Sequence, residues 1–198
     1  MTPTSTLVAR LYEHIEPIDR GERYEDPLDD ALRAAGLGEV TGGGSQLTES
    51  GEIEFADVEI QVGDVDAAVA TIVQSLEQAG APVGSELLGE SGVVREFGRL
   101  QSVAIYLDGV SLPDDVYAAL DFEATVEALT RAAGDDSYHG SWQGPEETGL
   151  FFFGPSAEEM FARVDPLLRA MPIGQNARVV IRPSRDASRS RTVRLPRQ

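Results

Sequence analysis

This chain nearly repeats itself, and that constrains its fold more than any other feature. ALRAAG at Ala31–Gly36 returns as LTRAAG at Leu129–Gly134. DVEIQVGDVDA at Asp57–Ala67 returns as GLFFFGPSAEE at Gly149–Glu159, and GAPVG at Gly80–Gly84 as AMPIG at Ala170–Gly174. The three matches keep their order, at offsets of 98, 92 and 90 residues. Shared order and spacing predict two copies of one unit, over 5–99 and 102–198.

Each copy reads as the same string of elements. In the first, Leu7–Ile15 has the β-branched and aromatic content of a strand. Pro27–Ala35 places apolar residues at 28, 31, 32 and 35, one face of a helix, with Asp26 as N-cap, Pro27 at the first helical position and Gly36 as the stop. Glu39–Leu47 and Ile53–Val62 read as a hairpin across TESGE, with a phase break near Ala56–Asp57 that predicts a bulge. Asp64–Gln78 is a second amphipathic helix, and Val83–Phe97 offers one or two strands. The second copy repeats the order: strand Val103–Leu107, helix Phe122–Ala133, hairpin Ser137–Gln143 with Leu150–Phe153, helix Ala157–Met171, strand Ala177–Arg182. Ser156 with Glu159 forms a capping box before the second helix, and Thr192–Leu195 is placed to fold back on the last strand. The order β-α-β-β-α-β predicts an α+β fold: a tandem duplication of a ferredoxin-like unit, its antiparallel sheets carrying helices on one face.

The run EVTGGGSQ at Glu39–Gln46 tests for a nucleotide site. A phosphate loop of the GxxxxGK[ST] type needs a lysine and a following helix. This chain has no lysine at all, and the next element reads as a strand. Glycine inside a strand marks a bulge, a bend or the close approach of another backbone. The remaining functional option is a flat surface where a partner strand or ligand lies close.

Charge narrows the partners. The chain has 34 acidic residues against 16 basic ones, all arginine, for a net charge of −18. Residues 182–198 hold six arginines and one acid, net +5, which leaves ten arginines and 33 acids, net −23, in the first 181 residues. Such a body repels nucleic acid and anionic membranes and attracts a basic protein. The arginine-rich end is expected to lie against its own acidic surface. No cysteine is present, which removes disulfides and thiolate chemistry. No run approaches the length of a membrane span, and MTPTSTLVARLYEHIEP lacks the pattern of a secretory leader, so cytoplasmic residence is expected.

The most distinctive segment is PIDRGERYEDP at Pro17–Pro27, read as a loop. It offers Asp19, Glu22, Glu25 and Asp26 to a cationic surface, with Tyr24 as an aromatic anchor. A solvated connection held by its own Asp–Arg pairs is the competing reading. In the second copy, Phe151 and Phe153 face one side of their strand and Phe152 the other, read by default as core plus a covered second face; an exposed Phe152 with Trp142 would make that hairpin an interaction surface. The two histidines, His14 and His139, occupy unmatched places and read as surface or half-buried, and Glu13 and His14 diverge if they alternate on a strand. Asp108, Asp114 and Asp115 lack calcium-loop spacing and read as a turn. No serine sits in a GxSxG elbow, so no catalytic residue, cofactor or metal is expected.

PIDRGERYEDPLDDALRAAGLGEVTGGGSQL, with its following acidic strand and helix, resembles a group of small, poorly characterised bacterial proteins. EETGLFFFGPSAEEMFARVDPLLRA and ARVVIRP resemble the same group. Some proteins of that kind are discussed as candidate immunity proteins. The motifs that carry the resemblance are structural rather than catalytic, so it brings no named activity and no functional residue to this chain. Three functions follow as expectations: an acidic module of the immunity or antitoxin type that neutralises a basic toxin; a small-molecule-binding regulator using the interface between the repeats; and a housekeeping protein whose acidity serves solubility.

Overall fold

The computed structural model describes residues 4–196, without the side chain of Ala187. The chain divides into two compact units, Met1–Leu100 and Gln101–Gln198. The first runs β1 (Ser5–Leu11), α1 (Pro17–Arg20), a π-helical turn (Gly21–Glu25), α2 (Asp26–Ala35), β2 (Gly38–Leu47), β3 (Ile53–Val62), α3 (Val65–Gln78), β4 (Ser85–Gly89) and β5 (Gly92–Phe97). The second runs β6 (Gln101–Asp108), α4 (Asp114–Ala118), α5 (Phe122–Ala133), β7 (Tyr138–Gln143), β8 (Glu147–Gly154), α6 (Ala157–Ala170), β9 (Arg178–Arg182) and β10 (Arg191–Arg194). The sheets have orders β2-β3-β1-β4-β5 and β7-β8-β6-β9-β10, all neighbours antiparallel. Each is a ferredoxin-like sheet with a fifth strand folded back on its last edge. The fold is therefore α+β and duplicated.

The alternation of each strand sorts its residues. Leu7, Ala9 and Leu11 of β1 meet Val58, Ile60 and Val62 of β3 beneath Leu28, Leu32, Ile72 and Leu76 of the helices. Val103, Ile105 and Leu107 of β6 meet Leu150 and Phe152 of β8 beneath Leu129, Met160, Val164 and Leu168. Burying such side chains contributes about 1.5–3 kcal/mol each. The helices α3 and α6 begin alike: Asp64 accepts from the Ala67 N–H at 3.2 Å and Ser156 from the Glu159 N–H at 3.3 Å. Gly36 ends α2 at φ +65°, where Leu37 N–H reaches Leu32 O at 3.0 Å.

Both sheets also carry, on the face away from their helices, an arginine forked to a carboxylate and laid on a ring. Arg10 bonds Asp57 at 2.9 and 2.8 Å and lies 3.8 Å from the Phe55 centroid. Arg178 bonds Glu147 at 3.2 and 2.5 Å and lies 3.8 Å from the Tyr106 centroid. Such bidentate, ring-backed geometry favours arginine over lysine.

The structure corrects several expectations. The strand predicted over Leu7–Ile15 ends at Leu11, and Glu13 and His14 lie beyond it, both buried. His139 is also buried, stacked on Phe153 with centroids 4.6 Å apart. Ala56 and Asp57 keep regular register with both neighbours. The irregularities lie instead at Thr41, between Val40 and Gly42, and at Glu54, opposite the step from Gln46 to Leu47. An equivalent break falls at His139, between Tyr138 and Gly140, so the duplicated edge strands share a bulge.

The turn after β6 is built on Asp108. It accepts from the backbone N–H groups of Val110 (2.9 Å) and Ser111 (2.8 Å), from the Ser111 hydroxyl, and from Asn176 Nδ2 (3.0 Å). Desolvation alone would raise its pKa; the donors outweigh it and hold the carboxyl below the usual range. With the folded pKa depressed, the stabilisation is complete above the unfolded value of about 3.9 and is lost as pH falls through the folded value. Asp108→Asn is expected to cost about 1–2 kcal/mol at neutral pH. Urea unfolding at neutral pH and near pH 2 checks this: the gap between the two proteins should shrink in acid.

Candidate functional site

The segment expected as a loop is helical from Pro17 to Ala35 without interruption. Asp26 is not an N-cap: it has helical angles, φ −63° and ψ −50°. The sequence hides this helix because its inward residues are Arg20, Tyr24, Leu28 and Leu32, and the first of them is charged. Steps of four residues drift by about 40° each on an ideal α-helix. The wider π turn at Gly21–Glu25 takes up part of that drift and keeps the four side chains inward.

Each inward polar group has a partner. The Arg20 guanidinium bonds Glu25 Oε1 at 2.5 Å, Gly44 O at 3.0 Å and Ser45 Oγ at 3.1 Å, which ties the helix to β2. The Tyr24 hydroxyl donates to Glu13 Oε2 at 2.6 Å, and Arg23 Nη1 to Glu13 Oε1 at 2.9 Å. Burial first, and the Glu13 carboxylate second, push the Tyr24 hydroxyl well above the usual tyrosine pKa, so it stays a donor. Within this cluster the Tyr24 and Glu13 side chains are fully buried, while Arg23 and Glu25 stay partly exposed. Gly43 belongs to the same construction: a Cβ there would meet Asp57 O at 2.6 Å and Glu25 Oε1 at 2.7 Å. The glycine run is thus a bulged edge strand on which the Arg20–Glu25 pair lies directly.

The outward face of the same helix is different. Glu16, Asp19, Glu22, Asp26 and Asp30 are all exposed, with Ile18 77% exposed among them. Among the described residues none of these five acids has an ion pair. Neighbouring acids are neutralised: Glu13 by Arg23, Glu25 by Arg20, and Asp29 and Glu39 by Arg33 at 2.6 and 2.7 Å. Arg33, helped by the Val40 N–H, also lowers the Asp29 pKa. The stripe therefore concentrates negative charge that no ion pair among the described residues neutralises.

Of the residues expected to bind a partner, Asp19, Glu22 and Asp26 fall on this stripe. Glu25 turns half inward to Arg20. Tyr24 is 0% exposed and Phe152 1% exposed, so neither is a surface anchor: Tyr24 serves Glu13, and Phe152 fills the second core against Tyr138. Trp142 is half-buried, folded over its own hairpin turn where a Cβ on Gly144 would strike its ring. Part of the arginine-rich end does lie on its own acids: Arg191 bonds Glu158 at 3.0 and 2.6 Å, 4.9 Å from the Phe161 centroid. Arg197, the last arginine of that end, is outside the described residues. Sequence reasoning missed α4 and the contribution of Glu16 and Asp30 to the stripe. Spacing at 16, 19, 22, 26 and 30 was the available signal, legible only once Pro17–Pro27 is read as helix.

No group of three or more His, Asp or Glu side chains is placed to hold a metal among the described residues. No helix among them is long and apolar enough to cross a membrane. The chain matches no protein-family model and no curated protein. Among solved structures, an unknown protein from Galdieria sulphuraria aligns at TM-score 0.28 and 11% identity, over 91% of this chain and 98% of that one. A Lactobacillus acidophilus protein proposed to be a monooxygenase aligns at 0.27 and 13%, over 81% of each chain. The first two RRM domains of the yeast poly(U)-binding protein Pub1 align at 0.25 and 11%, over 90% of this chain and 98% of that one. Scores this low carry no argument about function.

Proposed function

We propose that this chain is a non-enzymatic, cytoplasmic binding module that captures a basic protein, in the manner of an immunity protein or antitoxin. The observation that carries the reading is the stripe Glu16, Asp19, Glu22, Asp26 and Asp30, exposed on one helix and unpaired among the described residues. A body of net charge −23 gives the long-range attraction, and the stripe gives it a direction. Like charges packed this closely repel one another, and a cationic surface relieves that repulsion on docking. Charges of this kind act mainly on association rate and on rejection of wrong partners.

The test is capture from source-cell lysate on the immobilised chain at low salt, with salt-gradient elution and identification of what elutes. One basic protein, released as salt screens the field, is the expected result. With that partner purified, the triple variant Asp19→Asn, Glu22→Gln, Asp26→Asn should slow association about tenfold and change dissociation little. An empty eluate, or a partner indifferent to both salt and the triple variant, sinks the reading. A salt-independent rise in melting temperature with a metabolite would then favour a small-molecule regulator.

A further inference from the structure

Counted back from the glycine that follows each helix, Leu28 and Leu32 of α2 correspond to Val126 and Thr130 of α5. In α2 these positions are buried. In α5 the buried residues are Thr125, Leu129 and Ala133, so the inward face lies one residue earlier. One residue is about 100° of helix rotation. The duplicated helices have thus rolled against equivalent sheets. The following strands keep register: Val40 sits opposite Ile60 and Tyr138 opposite Phe152.

The roll leaves apolar surface uncovered in the second unit. Phe122, 37% exposed, Val126 and Tyr138 line an open groove of about 560 Å³ beside α5. Its rim holds Glu123, Glu127 and Asp135 against one cation, Arg131. Arg131 is spent on Glu127 at 2.6 Å, in an exposed pair of a kind that contributes only a few tenths of a kcal/mol and exchanges readily. Glu123 and Asp135 have no ion pair among the described residues.

We infer that this groove docks a short cationic, amphipathic segment of a protein partner. Arginine and lysine suit it because their alkyl stems cover apolar surface while their charged heads stay at a polar rim. Phe122 and Tyr138 add ring faces that attract a cation. The net negative rim rejects an anionic peptide or a nucleic acid, and a wholly apolar segment would leave the rim acids without a counter-charge. The groove volume falls within the range of pockets that bind small ligands, room for a few side chains and not for a folded domain. The inference rests on the proposed cationic partner and assigns a second contact to it, on the other unit.

The experiment uses the whole chain and three synthetic twelve-residue peptides: one of arginine and leucine at helical spacing, one with glutamate replacing arginine, one with serine replacing leucine. Amide shifts are mapped by NMR and dissociation constants taken from titration. The arginine–leucine peptide should shift amides of residues 122–138 and bind more tightly than either control. Glu123→Gln with Asp135→Asn should weaken it about tenfold, the effect of two exposed ion pairs. Val126→Asp should abolish groove shifts, and the surface pair keeps the test open if that variant misfolds. The Asp19, Glu22, Asp26 triple variant should leave this affinity within about twofold. Binding of the cationic peptides at the α1–α2 stripe with a silent groove overturns this inference and leaves the proposed function standing. Equal binding of the serine control overturns the role of the apolar floor. No binding of either cationic peptide at low salt overturns this inference, and the lysate capture alone decides the proposed function.

Discussion

Tyr24→Ala is expected to destabilise the first unit by about 3–5 kcal/mol, the usual cost of removing a large aromatic side chain from a packed core. The ring is fully buried among Leu28, Leu32 and the β1–β3 face, and its hydroxyl donates, beside Arg23, to a carboxylate that is itself buried. Tyr24→Phe isolates the second part. It keeps the ring and leaves Glu13 Oε2 without its 2.6 Å donor, at an expected cost of about 1–3 kcal/mol. Urea unfolding of the three proteins should rank wild type above phenylalanine above alanine. A loss under about 1 kcal/mol for Tyr24→Ala would mean that the ring is a surface group after all. The same set separates structure from binding: Tyr24→Phe should leave capture of a basic partner unchanged, because the hydroxyl faces Glu13 and not solvent.

Tyr24 also shows where the sequence stopped being readable. The duplication, the element order and α5 at Phe122–Ala133 were legible, because short apolar strands and amphipathic helices have periods that survive in composition. Pro17–Pro27 was not. Its inward positions carry Arg20 and Tyr24, its outward positions carry acids, and a proline stands at each end, so every local signal favours a loop. Tertiary bonding decides the matter: Arg20 reaches β2 and Tyr24 reaches Glu13, partners 25 and 11 residues away in sequence. Phe152 fails for the opposite reason. Alternation correctly assigned it to the face opposite Phe151 and Phe153, but period alone does not say which face the helices cover. The acidic stripe was half legible, since Asp19, Glu22 and Asp26 could be named without the helix that lines them up with Glu16 and Asp30. The groove beside α5 had no sequence signal, because a roll of one residue between copies appears only when the buried sets are compared.

The glycine run yields the second large effect, and two of its members should respond with opposite signs. At Gly43 a Cβ would stand 2.6 Å from the Asp57 carbonyl, 2.7 Å from Glu25 Oε1 and 3.1 Å from Arg20 Nε. The first of these is backbone of the neighbouring strand and has little freedom to move. Gly43→Val therefore overpacks the sheet, at about 1–3 kcal/mol. If it also separates Arg20 from Glu25, it leaves a buried guanidinium short of its counter-ion, and the cost rises to about 3–5 kcal/mol. At Gly44 nothing lies within 4 Å of the added carbon, and its φ is not in the left-handed region. Gly44→Ala should be neutral or raise stability by about 0.4–1 kcal/mol, by narrowing the unfolded ensemble. Thermal unfolding of the two variants side by side decides what the run is for. Opposite signs mean that the Arg20–Glu25 pair requires one bare backbone position on β2 and tolerates substitution beside it. Tolerance at both would return the run to an open glycine surface, available for a partner strand, with the ion pair free to move aside.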